Sequence, residues 1–157
     1  MSVCKGLRGF VSNRHNPGEG FELDGNQVII MGGAYSIDKM VRLMYGYGWW
    51  PDEQPSDEIK RYVESRLDKL GWKVDVVLSH TTPRKYEPVE VFMAGVDQSK
   101  VDKSTEEWLD EIEDRLEYGK WYCGHYHTEK KVDKLEIMFE NFGGVIIISM
   151  DNIETKF

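Results

Sequence analysis

The chain holds four histidines, and two of them, His125 and His127, sit one residue apart in the stretch WYCGHYHTEK, Trp121 to Lys130. Imidazole is largely neutral near pH 7 and is a frequent nitrogen ligand for zinc, manganese and iron. In extended backbone, side chains two apart share one side, so His125 and His127 are expected to face one centre while Tyr126 turns away. Gly124 lets the backbone pass close to whatever lies there. His80 closes a second β-rich run, KVDVVLSH, and is the third candidate ligand. A lone H-x-H is a weak signal, and a histidine at a strand end is commonly just a hydrogen-bonded loop residue. Both features in one small domain together favour metal binding. Cys123 has the same parity as His125, which leaves a Cys-His-His zinc set open. A free cysteine inside a strand is more often a small buried hydrophobe, and that reading is favoured.

Two helix–strand units must position these residues. Ser56, followed by Asp57 and Glu58, opens a helix in which Ile59, Val63, Arg66, Leu67 and Leu70 recur at helical spacing, and Gly71 closes it. The consecutive Val76, Val77 and Leu78 then read as a strand buried on both faces. Ser104 with Glu107 forms an expected capping box, Trp108, Leu109, Ile112 and Leu116 make an apolar stripe, and Gly119 marks the stop before a short strand WYC. The charges of EEWLDEIEDRLE read as a solvated helix face. Each strand follows a capped helix, so the two strands are expected as parallel neighbours. The three histidines would then gather at the carboxyl rim, where open α/β sheets bind ligands.

The remaining elements are briefer. FELDGNQVIIM signals a hairpin around Asp24-Gly25-Asn26, and Met40, Leu43 and Met44 fall at the spacing of a short helix. WWPDEQPS is a loop, KLEIMFENF and GVIIIS are two further strands, and residues 1–19 have no clear period. With no repeat or linker in its 157 residues, the chain reads as one α/β domain.

Composition narrows the partners. A net charge of −8 and a pI near 5.0 offer no long-range attraction for duplex nucleic acid, which makes non-specific nucleic-acid binding an unfavoured function. A local cation could still receive a phosphate. Cys4 and Cys123 do not make a disulfide framework, the first residues carry no secretory h-region, and VIIIS is too short to span a bilayer. A reduced cytoplasm is the expected compartment.

LSHTTP followed by WYCGHYH resembles the last two motif blocks of the calcineurin-like metallophosphoesterases, and GGAYSIDKMVRLMYGYGWWPDEQPS is similar to a segment of bacterial and phage members. The resemblance spans residues 20–142. It implies an αββα sandwich and a site of two divalent metal ions (Mn, Zn or Fe), with His80 and His125 on one metal and His127 on the other. It also implies a phosphomonoester or phosphodiester substrate and metal-activated hydrolysis. The family's earlier Asp-x-His, Gly-Asp and Gly-Asn-His blocks do not occur in this sequence, so the resemblance covers the later part of the family fold. Asp24, Asp38 and Glu53 are the candidates to supply a carboxylate.

Arg42 is a candidate for a phosphate oxygen, although an exposed helix arginine is the usual case. Trp49 and Trp50 could stack on a substrate ring, but filling the core beneath the loop is favoured. Two other functions compete with the phosphoesterase: a non-catalytic binding or assembly domain on the same scaffold, and a mononuclear zinc protein. Without the family's front half, VDVVL should present apolar faces and unpaired edges, to be covered by a homodimer, by a separate chain, or by residues 1–19 folding back.

Overall fold

The computed structural model describes residues 20–23, 25–49 and 52–140. Asp24, Trp50, residues 1–19 and the run GVIIIS lie outside the described residues. The elements are β1 (Gly20–Leu23), β2 (Asn26–Met31), α1 (Lys39–Tyr45), α2 (Asp57–Lys69), β3 (Lys73–Ser79), α3 (Ser104–Glu113), β4 (Glu117–Cys123), β5 (Lys130–Val132) and β6 (Leu135–Ile137). Three short 3-10 turns between Arg84 and Lys100 fill the connection from β3 to α3. The six strands form one sheet in the order β1-β2-β3-β4-β6-β5. The inner four run parallel, and each outer strand joins its neighbour antiparallel. The chain is therefore α/β. Among the described residues there is one sheet rather than the two of a sandwich.

Local chemistry accounts for most of these elements. The hairpin between β1 and β2 turns at Gly25, whose φ of 81° lies in the left-handed region that glycine enters without a Cβ clash. Ser56 caps α2 by accepting the Ile59 N–H, Asp57 and Glu58 sit in its first turn, and Gly71 (φ 65°) ends it. Val63 and Leu67 of α2 meet Trp108, Leu109 and Ile112 of α3 over Ile29, Met31, Val77, Trp121, Leu135 and Ile137 of the sheet. Complete burial of each such aliphatic side chain contributes roughly 1.5–3 kcal/mol. Val28, Val76 and Tyr122 form a smaller cluster on the other face.

Several expectations are corrected. The capping box at Ser104 does not form: Ser104 is the first residue of α3, and its N–H is taken by the Asp102 carboxylate at 2.9 Å, while Glu107 pairs with Arg84. Gly119 does not stop a helix. It lies inside β4, where a Cβ would come 2.7 Å from the Asp75 carbonyl oxygen, so close strand approach selects glycine. The strand VDVVL has no free edge, because β3 pairs with β2 on one side and β4 on the other. Val76 and Val77 are buried within one chain, so covering them does not require a two-fold partner. The helix expected at Met40, Leu43 and Met44 forms, but it buries no residue. Met40, Val41, Leu43 and Met44 stay exposed, and the Arg42–Asp38 ion pair lies within this one turn of chain, between the helix and its N-cap.

Gly119→Ala should lower unfolding free energy by about 1–3 kcal/mol, because the added methyl meets backbone that cannot rotate away. Urea denaturation followed by tryptophan fluorescence checks this. A change below a few tenths of a kcal/mol would show that β3 and β4 tolerate a wider spacing.

Candidate functional site

The parallel pairing of β3 and β4 carries the site. Its register sets Val77 beside Trp121 and Leu78 beside Tyr122, and the Trp121 indole N–H donates to Ser79 Oγ at 2.7 Å across the two strands. One step further, the Gly124 N–H donates to the His80 carbonyl at 3.1 Å, and the His80 N–H donates to the Met31 carbonyl at 3.0 Å. The carboxyl ends of β2, β3 and β4 are thereby aligned. The His80 and His125 rings lie 5.1 Å apart, centroid to centroid, edge to face.

His127 is reached by a different geometry from the one expected. β4 ends at Cys123, and His125 (φ 74°) and His127 (φ 52°) both adopt left-handed backbone. The strand rule of alternating sides does not apply to such backbone. His127 stacks on Phe139 at 5.1 Å, whereas His125 packs against His80 and Tyr126. Among the described residues no three His, Cys, Asp or Glu side chains form a group that could hold a metal ion. His80 and His125 are thus a two-imidazole cluster. Left-handed backbone costs a non-glycine residue about 1–3 kcal/mol, and such residues concentrate where a side chain must be aimed.

Cys123 belongs to the core. Its side chain is 1% exposed, its thiol reaches the Glu136 carbonyl, and burial pushes it up to about 12. It is a buried hydrophobe, held away from thiolate chemistry. The other expected contributors serve the loop after β2. The Arg42 guanidinium is bonded to Asp38 at 2.7 Å, which raises it further above its ordinary value. The Trp49 indole donates to Glu53 at 2.7 Å, with Lys39 Nζ 3.8 Å over its ring, so Trp49 neither fills the core nor lies bare for a substrate ring. Glu53 also accepts the Ser36 N–H with its side chain and the Ala34 N–H with its backbone. Gly33 (φ 95°) permits this closure, since a Cβ there would come 2.8 Å from the Glu53 carbonyl. Asp38 and Glu53 are consumed as scaffold.

Sequence reasoning missed the polar layer beneath the histidines. Glu106 of α3 is 3% exposed, although it lies in a stretch read as solvated. Its Oε1 is 2.8 Å from Thr81 Oγ1, and its Oε2 has no partner among the described residues. Thr81 Oγ1 is 3.2 Å from the Tyr126 hydroxyl, which is 3.1 Å from Glu87 Oε1. Lys103 Nζ pairs with the same Glu87 oxygen at 2.8 Å. Burial pushes the Glu106 carboxyl above its ordinary 4.5, and the Thr81 contact draws it part of the way back. Tyr126 is raised, first by burial and then by the charge of Glu106. A signal for this was available: Glu106 is three residues before Leu109, on the buried stripe of the helix.

No family model matches the chain, and neither a curated protein nor a solved structure matches it. No helix among the described residues is long and apolar enough to cross a membrane.

In the native protein Cys123 should resist iodoacetamide at pH 8 for hours and react within minutes in urea. Peptide mass spectrometry, which separates Cys123 from Cys4, reads both. Rapid native labelling of Cys123 would place its thiol at an accessible rim instead of the core.

Proposed function

We propose that the chain is a divalent-metal-dependent phosphoesterase of the calcineurin-like type, acting in the cytoplasm on a phosphomonoester or phosphodiester. The observation that carries this reading is the His80–His125 pair at the carboxyl ends of adjacent parallel strands. The resemblance of LSHTTP and WYCGHYH assigns those same two side chains to one cation. Two imidazoles supply part of a manganese, zinc or iron coordination shell. The bound cation would supply Lewis-acid polarisation of a phosphoryl oxygen.

This chain's own residues do the positioning. His80 is held by backbone bonds to β2 and β4, and His125 is turned towards it by left-handed backbone. His127, which the resemblance gives to the second cation, lies in the same loop but stacks on Phe139. Anionic charge to balance two dications does not come from Asp38 or Glu53, which are engaged elsewhere. It must come from donors beyond the described residues, from a separate chain, or in part from the phosphate ester itself. Arg42 and Trp49 organise the loop beside the rim and act on substrate only through that loop.

Hydrolysis of an aryl phosphate monoester and of a bis-aryl phosphate diester, each with added Mn²⁺, tests the proposal, with chelator abolishing turnover. His125→Gly suits the left-handed backbone, so it should fold with stability within about 1 kcal/mol of the parent. It should lose more than about tenfold in Mn²⁺ affinity by calorimetric titration. A folded parent that hydrolyses neither ester with Mn²⁺, Zn²⁺ or Fe²⁺ would favour the non-catalytic binding domain.

A further inference from the structure

Three oxygen–oxygen contacts run in series beneath the rim: Glu106 to Thr81 at 2.8 Å, Thr81 to Tyr126 at 3.2 Å, and Tyr126 to Glu87 at 3.1 Å. Each hydrogen bond needs one proton, and the two hydroxyls supply one apiece. If both carboxyls are ionised, one contact sets two oxygens against each other with no hydrogen between them. For all three contacts to be hydrogen bonds, the third proton sits on a carboxyl. Glu87 accepts Lys103 Nζ at 2.8 Å within a mostly buried pair, so it has a cation directly against it. Among the described residues Glu106 forms no ion pair and its Oε2 has no hydrogen-bond partner, so its charged form is the costlier one to bury.

We propose that Glu106 is a carboxylic acid at neutral pH, and that a one-way chain from Glu106 through Thr81 and Tyr126 to Glu87 positions His80 and His125. Glu106 donates to Thr81, Thr81 to Tyr126, and Tyr126 to Glu87. Thr81 directly follows His80, and Tyr126 directly follows His125, so the bond between their hydroxyls ties the two histidine-bearing segments together from below. Burial, the largest influence on the Glu106 carboxyl, raises it in the direction of this proton count, against smaller opposite pulls from Thr81 and Lys103. The charged and titratable groups facing Glu106 are Tyr126 from the loop after β4, Glu87 from the connection after β3, and Lys103 at the start of its own helix. The value of this positioning to a metal site rests on the phosphoesterase reading, whereas the proton assignment does not.

Conservative variants separate the parts. Glutamine at 106 keeps an N–H donor for Thr81, and leucine keeps the volume without it. Glu106→Gln should retain the nuclear Overhauser contact between the His80 and His125 rings and keep Mn²⁺ affinity within about twofold, whereas Glu106→Leu and Thr81→Val should lose the contact and about tenfold in affinity. Thr81→Ser should restore both. Tyr126→Phe keeps the ring stacked on Phe92 and serves where Thr81→Val does not fold. Equal losses in Glu106→Gln and Glu106→Leu would overturn the proton assignment. An unchanged ring contact in Thr81→Val or Tyr126→Phe would overturn the positioning role. Should the parent bind no Mn²⁺, the phosphoesterase reading fails and the ring contact alone decides this proposal.

Discussion

The hydrogen bond from the Gly124 N–H to the His80 carbonyl, 3.1 Å long, extends the parallel pairing of β3 and β4 one step past the strands. Everything at the rim depends on that register. A slip by one residue would send the whole odd-numbered set, including Val77, Trp121 and Cys123, to the wrong face. The pairing is protected at two positions. At the start, Gly119 admits the Asp75 carbonyl where any side chain would collide, and in the middle the Trp121 indole bonds Ser79 across the strands. Trp121 is fully buried, so a shifted register would strand a large aromatic and its N–H together.

The rim itself runs against stability. Two histidines adopt left-handed backbone in one short loop, and a carboxyl group lies buried in the layer beneath. Each feature costs on the order of 1–3 kcal/mol in a domain whose whole margin is a small number of such units. A loop that only had to connect β4 to β5 would be served by glycine or asparagine at those positions. The α2–α3 layer offsets these costs through Val63, Leu67, Trp108, Leu109 and Ile112, all buried in one cluster with the sheet. The core therefore supports a strained loop that aims side chains.

Much of this arrangement was legible in the residues. Ser56, Gly71 and the stripe through Val63 and Leu67 carry their own helix, and Val76-Val77 with WYC carry the two central strands, because local capping and periodicity coincide with burial there. The parallel placement of His80 and His125 followed from the helix–strand order. Other features depend on tertiary contacts that no local pattern records. Gly119 resembles a helix stop until the approach of Asp75 is known, and Ser104 resembles a cap until Asp102 takes its N–H. The H-x-H pattern implies a shared side only if the strand continues, and it ends at Cys123. Glu106 was hidden by its acidic neighbours, although its spacing from Leu109 placed it on the buried face.

The central claim is that His80 and His125 act as one cation-binding pair. Paramagnetic broadening measures this most directly: sub-stoichiometric Mn²⁺ is added to ¹⁵N-labelled protein while the histidine ring resonances are observed. The His80 and His125 rings should broaden first and together, at Mn²⁺ levels that leave the acidic surface of α3 sharp. Broadening confined to Asp and Glu residues of that surface, with both rings unaffected, would contradict it.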